Sequence, residues 1–238
     1  MAEYRIAAND DLQIIVPTDA MTGDRNRRMQ LYYQLVQSIA GAKSIDIIVS
    51  FLMESGVKML LKDLQGALDR GVSLRILTGN YLGITQPSAL YLIKHTLGNR
   101  VDLRFYNERE RSFHPKAYIF HYENYSDIYI GSSNISRSAL TSGIEWNYRF
   151  SSKKDPENYE TFFHTFEDLF EHHAIIIDDA ELKRYSKNWH RPAAAKDLDR
   201  YDESEENPDT SVRMLYEPRG AQIEALCALE NARVWVVR

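Results

Sequence analysis

The apolar residues of this chain fall into blocks that repeat every three to four positions and blocks that run continuously or alternate, and the two kinds succeed one another. Asn26–Ala40 sets Met29, Tyr32, Leu35, Val36 and Ile39 at helical spacing, which predicts an amphipathic helix. Ser44–Phe51 (SIDIIVSF) reads as a buried strand. Ser55–Arg70 carries Val57, Leu60, Leu61, Leu64 and Leu68 on one stripe, with Gly71 suited to the left-handed position beyond its end. Val72–Leu77 is the next strand, Thr85 with Pro87 opens a helix striped by Leu90, Ile93 and Leu97, and Val101–Tyr106 alternates as a further strand.

Strands separated by helices of this length need crossover connections. After Tyr106 the texture changes: His114–His121 and Asp127–Ile130 read as strands joined by the polar turn Tyr122–Ser126. Ile144–Phe150 reads as another strand, with Ile144, Trp146, Tyr148 and Phe150 on one face and Glu145 and Asn147 on the other. Asn158–Glu171 is a helix made apolar on one side by Phe162, Phe163, Phe166, Leu169 and Phe170. The sum is a mixed α/β fold, a largely parallel sheet flanked by helices on both faces.

The 238 residues suffice for one domain with something left over. Residues 196–210 (KDLDRYDESEENPDT) hold seven acids against Lys196 and Arg200, and carry the whole net charge of −5. The remainder is formally neutral, which permits a local basic surface for nucleic acid. The expected organisation is a domain over residues 1–195, an acidic linker over 196–211 and a tail over 212–238 that is too short to form a core. The single cysteine, Cys227, excludes an internal disulfide or a thiolate metal cluster. No apolar run reaches 18 residues, and Glu3 and Arg5 interrupt the stretch where a signal peptide would be apolar. A soluble cytoplasmic protein with no membrane partner is the expectation.

Candidate chemistry concentrates between residues 113 and 147. Residues two apart on a strand share a face, so His114 and Lys116 project together, while Phe113, Pro115 and Ala117 face the other way. Cleaving a phosphodiester without a metal needs a nucleophile, an acid for the leaving oxygen and donors for the non-bridging oxygens. His114 and Lys116 supply two of these. Gly131-Ser132-Ser133-Asn134 lies where a strand gives way to a short helix, so its N–H groups and the Asn134 amide can point at an anion. Glu145 can accept from the His114 imidazole and fix its tautomer, with Asn147 beside it. Arg109 and Arg111, just ahead of the motif, are placed to touch flanking phosphates. Singly, a His-x-Lys pair is more often a half-exposed strand edge and a Gly-Ser-Ser-Asn run an ordinary turn; grouped in this order they point to phosphate chemistry.

The run SFHPKAYIF…IYIGSSNISRSALTSGIEWN resembles the active-site segment of the phospholipase D superfamily, in its nuclease-like branch. The resemblance spans most of residues 28–175, including Leu77-Thr78-Gly79-Asn80. It implies a nucleophilic role for His114, phosphate binding by Lys116 and the Asn134 amide, and a supporting acid in Glu145. It further implies a phosphohistidine intermediate, a second histidine as acid, and neither metal nor cofactor. The fuller family signature has an aspartate where this chain has His121. With one such motif per chain, a homodimer bringing two His114 residues together completes the set.

A second resemblance lies in the tail. Pro218-Arg219-Gly220-Ala221-Gln222-Ile223-Glu224-Ala225-Leu226 is similar to the stretch that opens the core of superfamily 2 helicases, though an ordinary amphipathic helix reads equally well. The combined expectation is a metal-independent DNA endonuclease domain, with DNA preferred over RNA, of a helicase-linked restriction or defence protein whose helicase core continues beyond residue 238. The alternatives are a catalytically weak or inactive nucleic-acid-binding module serving a helicase, and a lipid or small-ester phosphodiesterase.

Overall fold

The computed structural model describes residues 18–192 except 25, 109 and 110. The expected linker and tail, Cys227 and Arg109 therefore lie outside the described residues.

One eight-stranded sheet organises them: β1 (Ala20–Met21), β2 (Ser44–Val49), β3 (Ser73–Thr78), β4 (Val101–Tyr106), β5 (Lys116–His121), β6 (Ser126–Gly131), β7 (Asn147–Ser151) and β8 (Ala174–Ile176). Their order across the sheet is β1-β7-β6-β5-β2-β3-β4-β8. The helices are α1 (Leu31–Gly41), α2 (Glu54–Asp69), α3 (Pro87–Leu97), α4 (Arg137–Leu140), α5 (Pro156–His172) and α6 (Asp179–Asn188). The mixed α/β architecture is as expected, with a corrected proportion. Only β2–β3–β4, joined through the crossover helices α2 and α3, run parallel, and every other pairing is antiparallel. The turn between β5 and β6, closed by Tyr122 N–H on the Tyr125 carbonyl (2.8 Å), is too short to do anything but reverse the chain.

Strand alternation divides the core in two. One face of the sheet, with Ile45, Ile47, Val49, Leu74, Ile76, Leu103, Tyr118 and Phe120, meets Leu35, Leu60, Leu90 and Leu182 of α1, α2, α3 and α6. The other face, with Ile48, Leu77, Ala117, Ile119 and Ile128, meets Tyr159, Phe166 and Phe170 of α5. The buried side of α1 is Leu31, Gln34, Leu35, Ser38 and Ile39, rotated from the expected stripe because the helix begins after a short 3-10 turn at Arg27–Met29. Strands β1 and β8 are too short, and helix α6 too polar, for their pattern to announce them.

The expected strand Ile144–Phe150 is also corrected. Only Asn147–Ser151 pairs, and Ile144, Trp146 and Tyr148 are 85%, 72% and 53% exposed. Helix α5 meets Phe150 through Phe162, ring centroids 5.9 Å apart, so the apolar face is covered at that end of β7. No helix among the described residues is long and apolar enough to cross a membrane.

Beneath α5 lies a buried ionic cluster. Asp46 is 2% exposed and accepts from Arg75 Nε (2.6 Å), Arg75 Nη2 (2.9 Å) and His121 Nε2 (2.8 Å). Arg75 reaches on to Glu167 of α5 (2.5 Å), and its guanidinium carbon lies 5.0 Å from the centre of the Phe166 ring. Burial pushes the Asp46 carboxyl up, but the bonds from His121 and Arg75 outweigh it and hold the pKa below the usual range. A buried carboxylate stripped of its cation is costly, so Arg75→Ala should destabilise the fold by about 3 kcal/mol in urea unfolding followed by circular dichroism. Because the Asp46 pKa is depressed, its contribution is complete above the ordinary carboxylate range and is lost as pH falls. The stability gap between wild type and Asp46→Asn should therefore hold steady from neutral pH and narrow below about pH 4.

Candidate active site

The site forms where the parallel strands end. Val49, the last residue of β2, stands opposite Lys116, the first of β5, and Gly131 at the end of β6 stands opposite Asn147 at the start of β7. These ends share one edge of the sheet, the edge at which open α/β sheets gather their ligands.

His114 precedes β5 instead of lying within it, and is exposed. Its place is set by its neighbours. Phe113 is buried and stacks on Tyr106 at 4.5 Å, and a Cβ on Gly79 would come within 2.6 Å of the Phe113 ring, so only glycine fits there. The Pro115 carbonyl accepts from the Ser50 hydroxyl at 3.1 Å. Lys116 is 8% exposed, and its Nζ donates to the His114 carbonyl at 2.9 Å. The same Nζ lies 2.7 Å from Nδ1 and 2.9 Å from Nε2 of the imidazole, only one of which can accept in a neutral ring. Burial, opposed by the charge of Glu145, brings the Lys116 pKa down to about 8. Burial and then the Lys116 charge lower that of His114. A neutral imidazole is thus held against a cation poised near the edge of its charged range.

Two of the expected donors prove to be framework. Ser133 is fully buried; its Oγ donates to the Ala139 carbonyl (3.0 Å) and accepts from Asn147 Nδ2 (2.9 Å). Asn147, 6% exposed, also accepts from Ser133 N–H through Oδ1 (3.5 Å). The N–H of Ser132 donates to the Trp146 carbonyl (3.0 Å), and the cap of the four-residue α4 is Ser136, so Gly131–Asn134 is a strand-pairing turn and not an anion cradle of backbone N–H groups. Tyr118 Oη donates to the Ser133 carbonyl at 3.1 Å from beneath. What this framework positions is Asn134: its Oδ1 accepts from Phe51 N–H at 3.2 Å, which turns the donor end of the amide away from the backbone.

Glu145 differs from expectation. Its carboxylate accepts a short hydrogen bond from Ser132 Oγ, and the contacts of the His114 ring among the described residues are Lys116 and Tyr81. The Glu145 charge acts on Lys116 and on the buried Tyr118, whose phenol is pushed up by burial first and by Glu145 second. Arg111 is exposed, close enough to Glu108 and Tyr106 for its charge to act on both. His121 lies at the far end of β5 opposite Ser44, on the order of 16 Å from Lys116 for a strand of this length, inside the ionic cluster. Tyr81, its ring centroid 4.3 Å from that of His114, carried no sequence signal: its turn has no periodicity and lies 33 residues upstream.

A family model described as "cardiolipin synthase, PLD-like domain" matches residues 35–174. The chain belongs to the phospholipase D-like family. No curated protein sequence matches it. Among solved structures, NucT from Helicobacter pylori aligns with a TM-score of 0.51 at 13% identity, covering 66% of this chain and 97% of its own. The polyphosphate kinase from Porphyromonas gingivalis aligns with a TM-score of 0.51 at 13% identity, covering 79% and 29%. The phospholipase D family member Nuc from Salmonella typhimurium aligns with a TM-score of 0.47 at 21% identity, covering 60% and 88%. At these identities NucT and the kinase share with this chain the fold alone, and His114, Lys116, Ser132, Asn134 and Glu145 all fall within the residues matched by the family model.

The tightest point of the framework is Gly131, where a Cβ would stand 2.2 Å from the Trp146 carbonyl oxygen and 2.5 Å from Asn147 Oδ1. Gly131→Ala should cost about 1–3 kcal/mol in urea unfolding, since backbone must move to admit the methyl; wild-type stability would contradict that packing.

Proposed function

We propose that this phospholipase D-like domain is a phosphodiesterase acting on DNA, an endonuclease that works through a phosphohistidine and without a metal. The observation that carries the reading is the exposed His114 imidazole, its pKa lowered, lying 2.7 Å from the buried ammonium of Lys116. In this reading Lys116 and the Asn134 amide hold the non-bridging oxygens, and Arg111 meets a flanking phosphate, as does Arg109. A neutral His114 attacks phosphorus, and the new P–N bond forms as the bond to the leaving oxygen breaks. That oxygen takes its proton from the protonated His114 of a second copy. Water then attacks phosphorus, gives its proton back to that second imidazole, and the P–N bond breaks. Glu145, bonded to Ser132, supports the charge of Lys116 in place of fixing the imidazole.

The second copy is needed because each chain carries one His-x-Lys set. Its docking face in this reading is the exposed apolar strip Ile144, Trp146 and Tyr148, which interleaves with Glu145 and Asn147 at the site. The link to a helicase rests on the run Pro218–Leu226 and remains part of the same proposal.

Cleavage of plasmid DNA in excess EDTA is the direct test. His114→Ala should lower the rate about a thousandfold, and mixtures of wild-type and His114→Ala chains should lose more activity than dilution alone explains. Salt-sensitive DNA binding without cleavage at any pH would replace the enzyme with a binding module. Affinity for tungstate should fall as pH rises through about 8, where Lys116 loses its proton, and Lys116→Met should abolish that dependence; calorimetric titration measures both.

A further inference from the structure

The turn after β3 brings the Tyr81 ring against the imidazole of His114. Tyr81–Gly83 forms a short 3-10 segment in which Leu82 takes φ 53°, ψ 18°, a left-handed conformation unusual for a branched side chain. Such a turn persists only where its surroundings hold it. From within, Thr85 Oγ1 donates to the Gly79 carbonyl. From outside, α6 and the residue that caps it supply the rest: Tyr185 Oη lies 2.7 Å from both Asn80 Oδ1 and the Thr85 carbonyl, and Trp189 Nε1 donates to the Gly83 carbonyl at 2.7 Å. Helix α6 is itself anchored, with Leu182 1% exposed and Lys94 Nζ of α3 donating to the Ile177 carbonyl at 2.8 Å just before it. It lies beyond residues 35–174, the part that matches the family.

We propose that Tyr81 is a positioning residue for His114: its ring, held in place by α6 through Tyr185 and Trp189, seats the imidazole against Lys116. The two rings meet at 4.3 Å between centroids and a 53° tilt. The expected effect is a partial exclusion of water from the imidazole where the phenol ring meets it, while the ammonium lies 2.7 Å and 2.9 Å from the two ring nitrogens. The titratable groups of the elements packed here are Lys116 on the same strand segment, Tyr81 in the turn, and Glu145 before β7, which bears on Lys116. Both burial and the Lys116 charge disfavour protonation of His114, and in this proposal the Tyr81 ring is a source of that burial. This inference deepens the proposed function, since it matters to catalysis only if His114 reacts, but its physical content is independent of any substrate.

The test is an NMR titration of the full chain carrying ring-labelled histidine, the His114 signal being the one lost in His114→Gln. Tyr81→Ala should raise the His114 midpoint by on the order of half a pH unit toward the ordinary histidine value. Tyr81→Phe, which keeps the ring, should titrate as wild type. Trp189→Phe, which removes only the N–H on the Gly83 carbonyl, should shift the midpoint part of the way, and it serves alone if Tyr81→Ala does not fold. An unchanged midpoint in Tyr81→Ala, or in Trp189→Phe where that variant stands alone, overturns the proposal. If the midpoint moves and the wild-type chain does not cleave DNA, the positioning role stands and the nuclease reading falls.

Discussion

Everything at the candidate site hangs on the antiparallel register of β5 against β2, in which Lys116 stands beside Val49. That pairing brings a strand of opposite direction to the carboxyl ends of the parallel strands, and so lets its first residue point where crossover loops and strand ends converge. It also buries Lys116 to 8% while leaving His114, two residues earlier, exposed. A register shift of one residue would exchange the faces and send the ammonium toward α5.

The same strand serves the other end of the sheet. His121 occupies the position where the family signature has an aspartate, and there it bonds Asp46 alongside Arg75. His121 therefore serves the ionic cluster that seats α5, at the far end of β5 from His114. A buried carboxylate needs hydrogen-bond donors, and in this chain they come from Arg75 of β3 and His121 of β5 together.

Much of this was legible in the chain itself. Periodicity marks α2, α3, α5 and the parallel strands, because each buries a continuous apolar face against a large partner. The proximity of His114 and Lys116 is legible for a similar reason: the residues lie two apart at the start of a strand, where spacing fixes their direction. The roles of Ser133 and Asn147 were not, since a serine hydroxyl or an asparagine amide reads alike whether it faces an anion or another side chain. Ile144, Trp146 and Tyr148 misled in the opposite sense. Their alternation is that of a covered strand, yet the helix that would cover them meets only Phe150.

The amino-acid sequence by itself determined the kind and order of the larger elements, and a compact set of candidate residues between 113 and 147, because these depend on local period and spacing. Tertiary structure alone decided the direction of β5, the partner of Glu145, the cluster around Asp46, and the placing of Tyr81 over His114. Each of those brings together residues that are distant along the chain or hold no periodic signal, and contacts of that kind exist only once the sheet has closed and α6 has packed against it.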